Sequence, residues 1–94
     1  MNNISQAKNA IRPILKSAGV KSSVLFGSFA RGDQTKNSDI DILVDFKNPI
    51  GFFSFSDLKN KLEKKLKRKV DLVTADGISP LIAKYIDRDK IRIL

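Results

Sequence analysis

The stretch that decides the fold reads Leu25-Phe26-Gly27-Ser28-Phe29-Ala30-Arg31-Gly32 and continues, after a polar segment, as Ser38-Asp39-Ile40-Asp41-Ile42-Leu43-Val44. Ten residues separate Ser28 from Asp39, and two aspartates then stand at positions i and i+2 of an aliphatic segment. Side chains alternate across a strand, so Asp39 and Asp41 are predicted to share one face while Ile40 and Ile42 point the other way. Two carboxylates on one face oppose folding unless a cation binds between them. The pattern favours Mg²⁺, which binds one or two carboxylates together with substrate phosphates.

The Gly27-Ser28 turn before this strand is predicted to hold phosphate. Residues Ser28 to Arg31 are expected to open a short helix whose first amides face an anion, and a glycine lets the backbone come close to the ligand. Arg31 has two interpretations. Its planar fork suits two parallel bonds to phosphate oxygens, and the alternative is an exposed arginine at a helix end.

The spacing of Gly-Ser, ten residues and Asp-x-Asp resembles the signature of the nucleotidyltransferase superfamily that includes DNA polymerase β. The full motif of residues 27–32 and 38–41 is similar to that of the smallest branch of this superfamily, the minimal nucleotidyltransferases (MNT). Members of this branch are commonly antitoxins paired with HEPN-domain toxins. The resemblance implies an α+β fold with a small mixed β-sheet covered by helices, as in polymerase β. We expect a single minimal nucleotidyltransferase domain over residues 1–94.

The resemblance also implies which residues act. Asp39 and Asp41 would be catalytic metal ligands, and a third acidic residue from a neighbouring strand would complete the set. Asp71, in the predicted strand Lys69–Thr74, is the match. On strand geometry alone Asp71 could lie beside the pair or could be an edge or surface residue. Two loop residues and one residue at a strand end are predicted to be solvated charges without a role in the site, namely Asp33, Lys36 and Asp45.

The implied reaction is nucleotidyl transfer with two Mg²⁺ ions and ATP as substrate. Gly27, Ser28 and Arg31 would bind the nucleotide. Because the chain has no histidine, a carboxylate or metal-bound water is the expected route for the proton of the attacking hydroxyl.

The expected partner is a cognate HEPN toxin in a hetero-oligomer. The resemblance implies that AMP is transferred to a hydroxyl of this RNase, in the family a tyrosine hydroxyl, and blocks its active site. Two alternatives remain open. One is an antitoxin that only binds and masks its toxin, which clustered carboxylates argue against because they repel one another. The other is a transferase acting on RNA ends, which would need an RNA-binding surface.

Composition limits the remaining classes of function. Ninety-four residues allow one domain whose active site is an open cleft. The absence of cysteine and histidine excludes disulfides, thiolate catalysis and the usual zinc sites. No apolar run approaches the length of a membrane span and no signal peptide is evident, so we expect a cytoplasmic protein with no membrane partner.

The net charge of +8 is concentrated between Lys59 and Lys69, where seven basic residues accompany Glu63 alone. A solvated helix face is the favoured interpretation, and an acidic protein partner or nucleic acid is the alternative. Direct nucleic-acid binding is not expected, because no aromatic residue is interleaved with these lysines to stack on bases.

Periodicity and turn residues predict the remaining elements. We expect a helix over 4–18 with a kink or break near residue 12 caused by Pro13, and strands over 20–26 and 39–46. Phe52, Phe53 and Phe55 are predicted to fill the core ahead of a helix over 57–67 capped by Ser56. Further predictions are a helix from Ser79-Pro80 to about residue 87, with Tyr85 in the core, and an edge strand over 91–94.

Overall fold

The computed structural model describes residues 3–32 and 39–94. In chain order the elements are α1 (Ile4–Ser17), β1 (Val20–Phe26), α2 (Gly27–Arg31), β2 (Ile40–Phe46), α3 (Phe52–Leu66), β3 (Val70–Thr74), a 3₁₀ turn (Ala75–Gly77), α4 (Pro80–Asp89) and β4 (Ile91–Arg92). The predicted α+β class with a small mixed sheet is confirmed. Among the described helices, none is long and apolar enough to cross a membrane.

The four strands form one sheet in the order β3-β2-β1-β4. β1 is antiparallel to both β2 and β4, whereas β2 and β3 are parallel and are connected through α3. The connection follows from the parallel pairing, which requires a crossover rather than a hairpin. In this strand order β2 and β1 are the central strands. The predicted terminal edge strand is confirmed as β4, which is shorter than predicted.

Helix α1 begins at a cap that the sequence analysis did not name. The Asn3 side chain accepts a hydrogen bond from the Gln6 amide at 2.8 Å. The helix then runs through Pro13 to Ser17 without interruption, so the predicted break near residue 12 is wrong. Pro13 is exposed on the helix surface, where its ring meets solvent. Gly19 follows the helix with φ of +81°, a conformation that glycine adopts without strain.

The core lies where α1 and α3 pack on the sheet. Its fully buried side chains come from these two helices, from α2 and from the central strands, namely Ala7, Ile11, Leu15, Leu25, Phe29, Ile40, Ile42, Val44 and Leu62. The helix residues recur at intervals of three or four positions and the strand residues alternate, as the two periodicities require.

Helix α3 begins at Phe52, five residues earlier than predicted, and its cap position is Gly51 rather than Ser56. Phe55 lies three residues before Leu58, on the same side of the helix, and packs against the core. Phe52 and Phe53 are 76% and 85% exposed, so their predicted place in the core is wrong. One further turn of helix directs them away from the sheet.

Helix α4 has the predicted Ser79 cap, whose hydroxyl accepts from the Ile82 amide at 3.3 Å. It buries only Ile86 completely. Tyr85 is 57% exposed and carries the Arg88 guanidinium 5.2 Å from its ring centre, so its predicted place in the core is also wrong. The helix contacts α2 and β1 through one narrow side, which leaves most of its apolar residues in solvent.

The basic residues between 59 and 69 lie on α3 and in its link to β3, and all except Arg68 are exposed. Lys61 pairs with Asp57 at 3.1 Å on the helix surface, and the Arg68 guanidinium lies 5.7 Å from the Phe29 ring centre. This placement agrees with a solvated face. Phe52 and Phe53 are exposed on the same helix, ahead of the lysines rather than among them, and the absence of direct nucleic-acid binding stays a prediction.

The corrected start of α3 predicts unequal effects of two substitutions on that helix. Leu62→Ala removes a fully buried side chain, and we expect it to lower the free energy of unfolding by about 2 to 4 kcal/mol. Phe53→Ala should change it by less than about 0.5 kcal/mol, since the ring is in solvent. Urea denaturation followed by circular dichroism measures both values. Comparable losses in the two variants would contradict the observed helix.

Candidate active site

The turn from β1 into α2 brings the backbone against the first carboxylate of the site. Phe26 is the register partner of Asp41, and Gly27 follows with φ of +73°. A Cβ added at Gly27 would lie 3.1 Å from the Asp41 Cγ and would overlap its Oδ2. Both the conformation and the space beside Asp41 therefore require glycine, and the predicted approach of this backbone to a phosphate stays a prediction.

The alternation predicted for the Asp-x-Asp segment is confirmed. Ile40 and Ile42 are fully buried, whereas Asp41 is half-buried on the other face. Asp39 is exposed and lies one residue before β2, so the strand begins one residue later than predicted.

Asp71 lies beside Asp41. The two are register partners on the adjacent parallel strands β2 and β3. Val70 and Leu72 are buried, and Asp71 is exposed between them. Paired residues of neighbouring strands project from the same face, so the two carboxylates share the face opposite the core. Of the two possibilities left by the sequence, the structure thus supports the position next to the Asp-x-Asp segment.

The pKa of Asp41 reflects its burial and the nearby carboxylates. Its pKa is raised from 3.8 to about 6, first by burial and then by the negative charges of Asp71 and Asp39. The Arg31 charge acts in the opposite direction, and a hydrogen bond with Asp71 adds to the rise. Arg31, Asp39 and Asp71 therefore all lie near enough to act on Asp41.

The carboxylates suit a divalent cation that is shared with a substrate. Within residues 3–32 and 39–94, no three acidic, histidine or cysteine side chains are grouped closely enough to hold a metal ion. The adjacent pair Asp41 and Asp71 provides two hard oxygen ligands, which matches the usual protein share of a Mg²⁺ site completed by phosphate oxygens and water. A cation would also relieve the repulsion that raises the Asp41 pKa.

The predicted nucleotide-binding residues belong to α2. Ser28 is half-buried in the first turn, immediately after Gly27. Arg31 is the last residue of α2, and its Nη1 donates a hydrogen bond to Asp89 Oδ2 at 3.0 Å. Gly32 then ends the helix with φ of +82°. The structure thus brings Gly27 against Asp41 and Arg31 within electrostatic reach of it. Asp33 and Lys36, predicted as solvated loop residues, lie outside the described residues.

Asp89 is the residue at this site that sequence reasoning missed. The predicted helix ended near residue 87, whereas α4 continues to Asp89. A separation of 58 residues from Arg31 leaves no local pattern that could reveal the contact. Asp45, predicted as a strand-end charge, pairs with the exposed Lys21 at 3.4 Å.

Comparison with known proteins agrees with this geometry. The model of the nucleotidyltransferase domain family matches residues 7–93. A chain of Methanocaldococcus jannaschii, assigned by name as a protein adenylyltransferase, is 41% identical over 98 residues, which cover 99% of this chain and all of the relative. The protein adenylyltransferase MntA of Thermococcus cleftensis is 37% identical over 75 residues, covering 80% of this chain and 76% of the relative.

Solved structures show the same fold. A toxin–antitoxin crystal structure with AMP-PNP superposes with a TM-score of 0.83 at 28% identity, covering 93% of this chain and 72% of that chain. A chain described as a minimal nucleotidyltransferase superposes with a TM-score of 0.80 at 30% identity, covering 93% and 89%. On the family match, the near full-length relatives and this shared fold, the chain is a nucleotidyltransferase that belongs to the minimal nucleotidyltransferases.

Proposed function

We propose that this protein is an antitoxin that transfers AMP from ATP to a hydroxyl group, in our assignment a tyrosine, of a cognate HEPN RNase toxin and so neutralises it. The observation that carries the proposal is the pair of carboxylates, Asp41 and Asp71, facing the Gly27-Ser28 turn. The names of the relatives as protein adenylyltransferases and the toxin–antitoxin structure with AMP-PNP support it.

The triphosphate would lie at the start of α2. Ser28 donates its hydroxyl and the amides after Gly27 donate their hydrogens to the β- and γ-phosphates, while Arg31 adds a charged fork. Gly27 has no side chain that would separate these donors from the ligand. Bound this way, the α-phosphorus lies toward Asp41, where the carboxylates are concentrated.

The transfer itself forms one bond and breaks one. The hydroxyl oxygen of the acceptor bonds to the α-phosphorus, the bond from this phosphorus to the bridging oxygen breaks, and pyrophosphate leaves. Asp71 is an exposed carboxylate beside Asp41 on the neighbouring strand and would take the hydroxyl proton. Mg²⁺ ions bound by Asp41 together with Asp39 or Asp71, and completed by phosphate oxygens, would neutralise charge on the triphosphate and on the leaving pyrophosphate.

The exposed position of the carboxylates suits a protein acceptor. Asp39 and Asp71 are open to solvent, so a side chain on the surface of a partner can reach them. The partner would be a HEPN toxin because that is the pairing of the family which the sequence resembles. Intact-mass analysis of the co-purified partner after incubation with ATP and Mg²⁺ tests the proposal directly. Mass increments of AMP located on tyrosine support it, and an unmodified partner contradicts it.

One observation favours a second candidate, a transferase that acts on RNA ends. Phe52 and Phe53 are exposed on α3 together with several lysines, and exposed aromatic rings beside cations are a common surface for single-stranded nucleic acid. Tight RNA binding at 150 mM salt, with a steep salt dependence that weakens in Phe53→Ala, would promote this candidate. Weak binding lost near that salt concentration would remove it.

We expect Asp41→Asn and Asp71→Asn each to lower AMP transfer by several orders of magnitude, because each removes a carboxylate from the reaction centre. Asp45→Asn is the matched control, since Asp45 is on the same strand at its far end and pairs with Lys21. The control should transfer AMP at the rate of the unmodified protein. Asp39→Asn should resemble the first two variants. Full activity in Asp71→Asn would make Asp71 a surface residue.

The raised pKa of Asp41 predicts a pH-dependent gain in stability on neutralisation. Because the folded-state pKa is above the unfolded value, the ionised side chain destabilises the fold progressively as the pH rises from about 4 to about 6, and fully above that range. In EDTA at pH 7.5, Asp41→Asn should therefore raise the free energy of unfolding by about 1 to 2 kcal/mol, after allowance for solvent screening. Denaturant unfolding at pH 4 and pH 7.5 measures the difference. A gain of equal size at both pH values would contradict the assigned pKa.

The phosphate turn gives a separate prediction. Ser28→Ala and Arg31→Ala should each weaken binding of AMP-PNP in the presence of Mg²⁺ by about 1.5 to 3 kcal/mol, the range for hydrogen bonds to charged groups. Titration calorimetry measures the affinity. If both variants bind as tightly as the unmodified protein, the nucleotide lies elsewhere on the surface.

A further inference from the structure

A carboxylate from the far end of the chain lies against the phosphate turn. Asp89, the last residue of α4, accepts a hydrogen bond from Arg31 Nη1 at 3.0 Å, and its side chain is only 10% exposed. Helix α4 packs against α2, so the contact joins two elements that are remote in sequence. No step of the proposed reaction uses Asp89.

Each carboxylate oxygen of Asp89 lies next to a different arginine. Arg31 approaches Oδ2, whereas Arg88 approaches Oδ1 with its Nε at 3.5 Å. Arg88 is 65% exposed and lies over the ring of Tyr85, on the solvent side of α4. Arg31 is on the side of the nucleotidyltransferase motif. The carboxylate therefore connects a solvent-facing arginine with one at the site.

The neighbouring carboxylate on the same helix shows what an ordinary surface pair looks like. Asp87 is 73% exposed and pairs with Lys90 at 3.2 Å, three residues further along the chain. Pairs of this kind contribute little, because water competes for both charges. The low exposure of Asp89 and its long-range partner distinguish it from Asp87.

We propose that Asp89 is a positioning residue that fixes the guanidinium plane of Arg31 for binding the triphosphate. This inference rests on the proposed function, which places the nucleotide at the Gly27-Ser28 turn. An arginine has five N–H donors in a rigid planar fork, so a carboxylate bound at one side determines where the other side points. Fixing a flexible side chain before the ligand arrives reduces the entropy lost on binding.

The charges around Asp89 are consistent with this role. Partial burial raises the pKa of Asp89, but the hydrogen bond from Arg31 and the charge of Arg88 outweigh burial and lower it overall. Asp89 is thus ionised at neutral pH and able to accept from Arg31. The Arg31 charge in turn lowers the pKa of Asp41, so this arginine is held within electrostatic reach of the carboxylate site.

A double-mutant cycle on nucleotide binding tests the inference. Titration calorimetry with AMP-PNP and Mg²⁺ compares the unmodified protein with Asp89→Asn, Arg31→Ala and the double variant. We expect Asp89→Asn to bind about three- to tenfold more weakly, in keeping with an indirect effect on a charged hydrogen bond. In the Arg31→Ala background the same substitution should have no further effect, because the two residues act as one unit.

Two substitutions on α4 are matched controls. Asp87→Asn removes an exposed carboxylate from the same helix, and Arg88→Gln removes the other partner of Asp89. Both should leave the affinity for AMP-PNP unchanged. Thermal unfolding without nucleotide shows whether each variant is folded. Asp89→Glu keeps the charge and moves it by one methylene, so a loss smaller than that of Asp89→Asn is expected even if the asparagine variant is destabilised.

Three results would overturn the inference. Equal losses from Asp89→Asn with and without Arg31 would mean that Asp89 acts only through the stability of α4. Tighter binding in Asp89→Asn would mean that the carboxylate holds Arg31 away from phosphate. No loss in Arg31→Ala would mean that Arg31 does not bind the triphosphate and that Asp89 has nothing to position. The proposed site itself is contradicted only if Ser28→Ala also binds normally, and the first two results leave that site standing.

Discussion

Repulsion between the carboxylates of Asp41 and Asp71 is the constraint on which the rest of the structure depends. The two side chains are neighbours across a parallel strand pair, and burial together with the Asp71 charge raises the pKa of Asp41. A strand that carries this electrostatic cost needs strong apolar packing on its other face. Ile40 and Ile42 provide this anchor, since both are fully buried on the central strand of the sheet. A bound cation would attract both carboxylates and offset their mutual repulsion. An arrangement that destabilises the fold without a cation therefore favours the binding of one.

Gly27 connects the two halves of the site. Its backbone lies so close to Asp41 that no side chain fits between them, and its positive φ turns the chain from β1 into α2. One residue thus sets the distance between the phosphate turn and the carboxylates. The spacing in sequence has little to do with this distance, because the antiparallel pairing of β1 with β2 brings the turn to Asp41. The connection between the turn and β2 only has to contain enough residues for the chain to reverse direction.

The two helical regions differ in how firmly they are built. α1 and α3 bury continuous apolar stripes on the sheet, whereas α4 buries only Ile86 completely and leaves Tyr85 in solvent. The contact of α4 with the site is correspondingly polar and passes through Asp89 and Arg31. Helix α4 is therefore packed less deeply than α1 and α3, and it meets the end of α2 at a charged pair.

The sequence by itself determined the elements with strong local signals. Alternation in residues 39–46 predicted strand β2 and its two faces, and the period of the apolar residues predicted α1 to within one residue of its end. These succeed because strand and helix periods are properties of the backbone. Only the tertiary structure decided which aromatic residues are buried. Phe53 is a large apolar residue of the kind that usually lies in a core, yet the early start of α3 places it in solvent. It also decided that Asp71 lies beside Asp41 and that Asp89 reaches Arg31, since strand register and helix packing bring together residues that no local pattern relates.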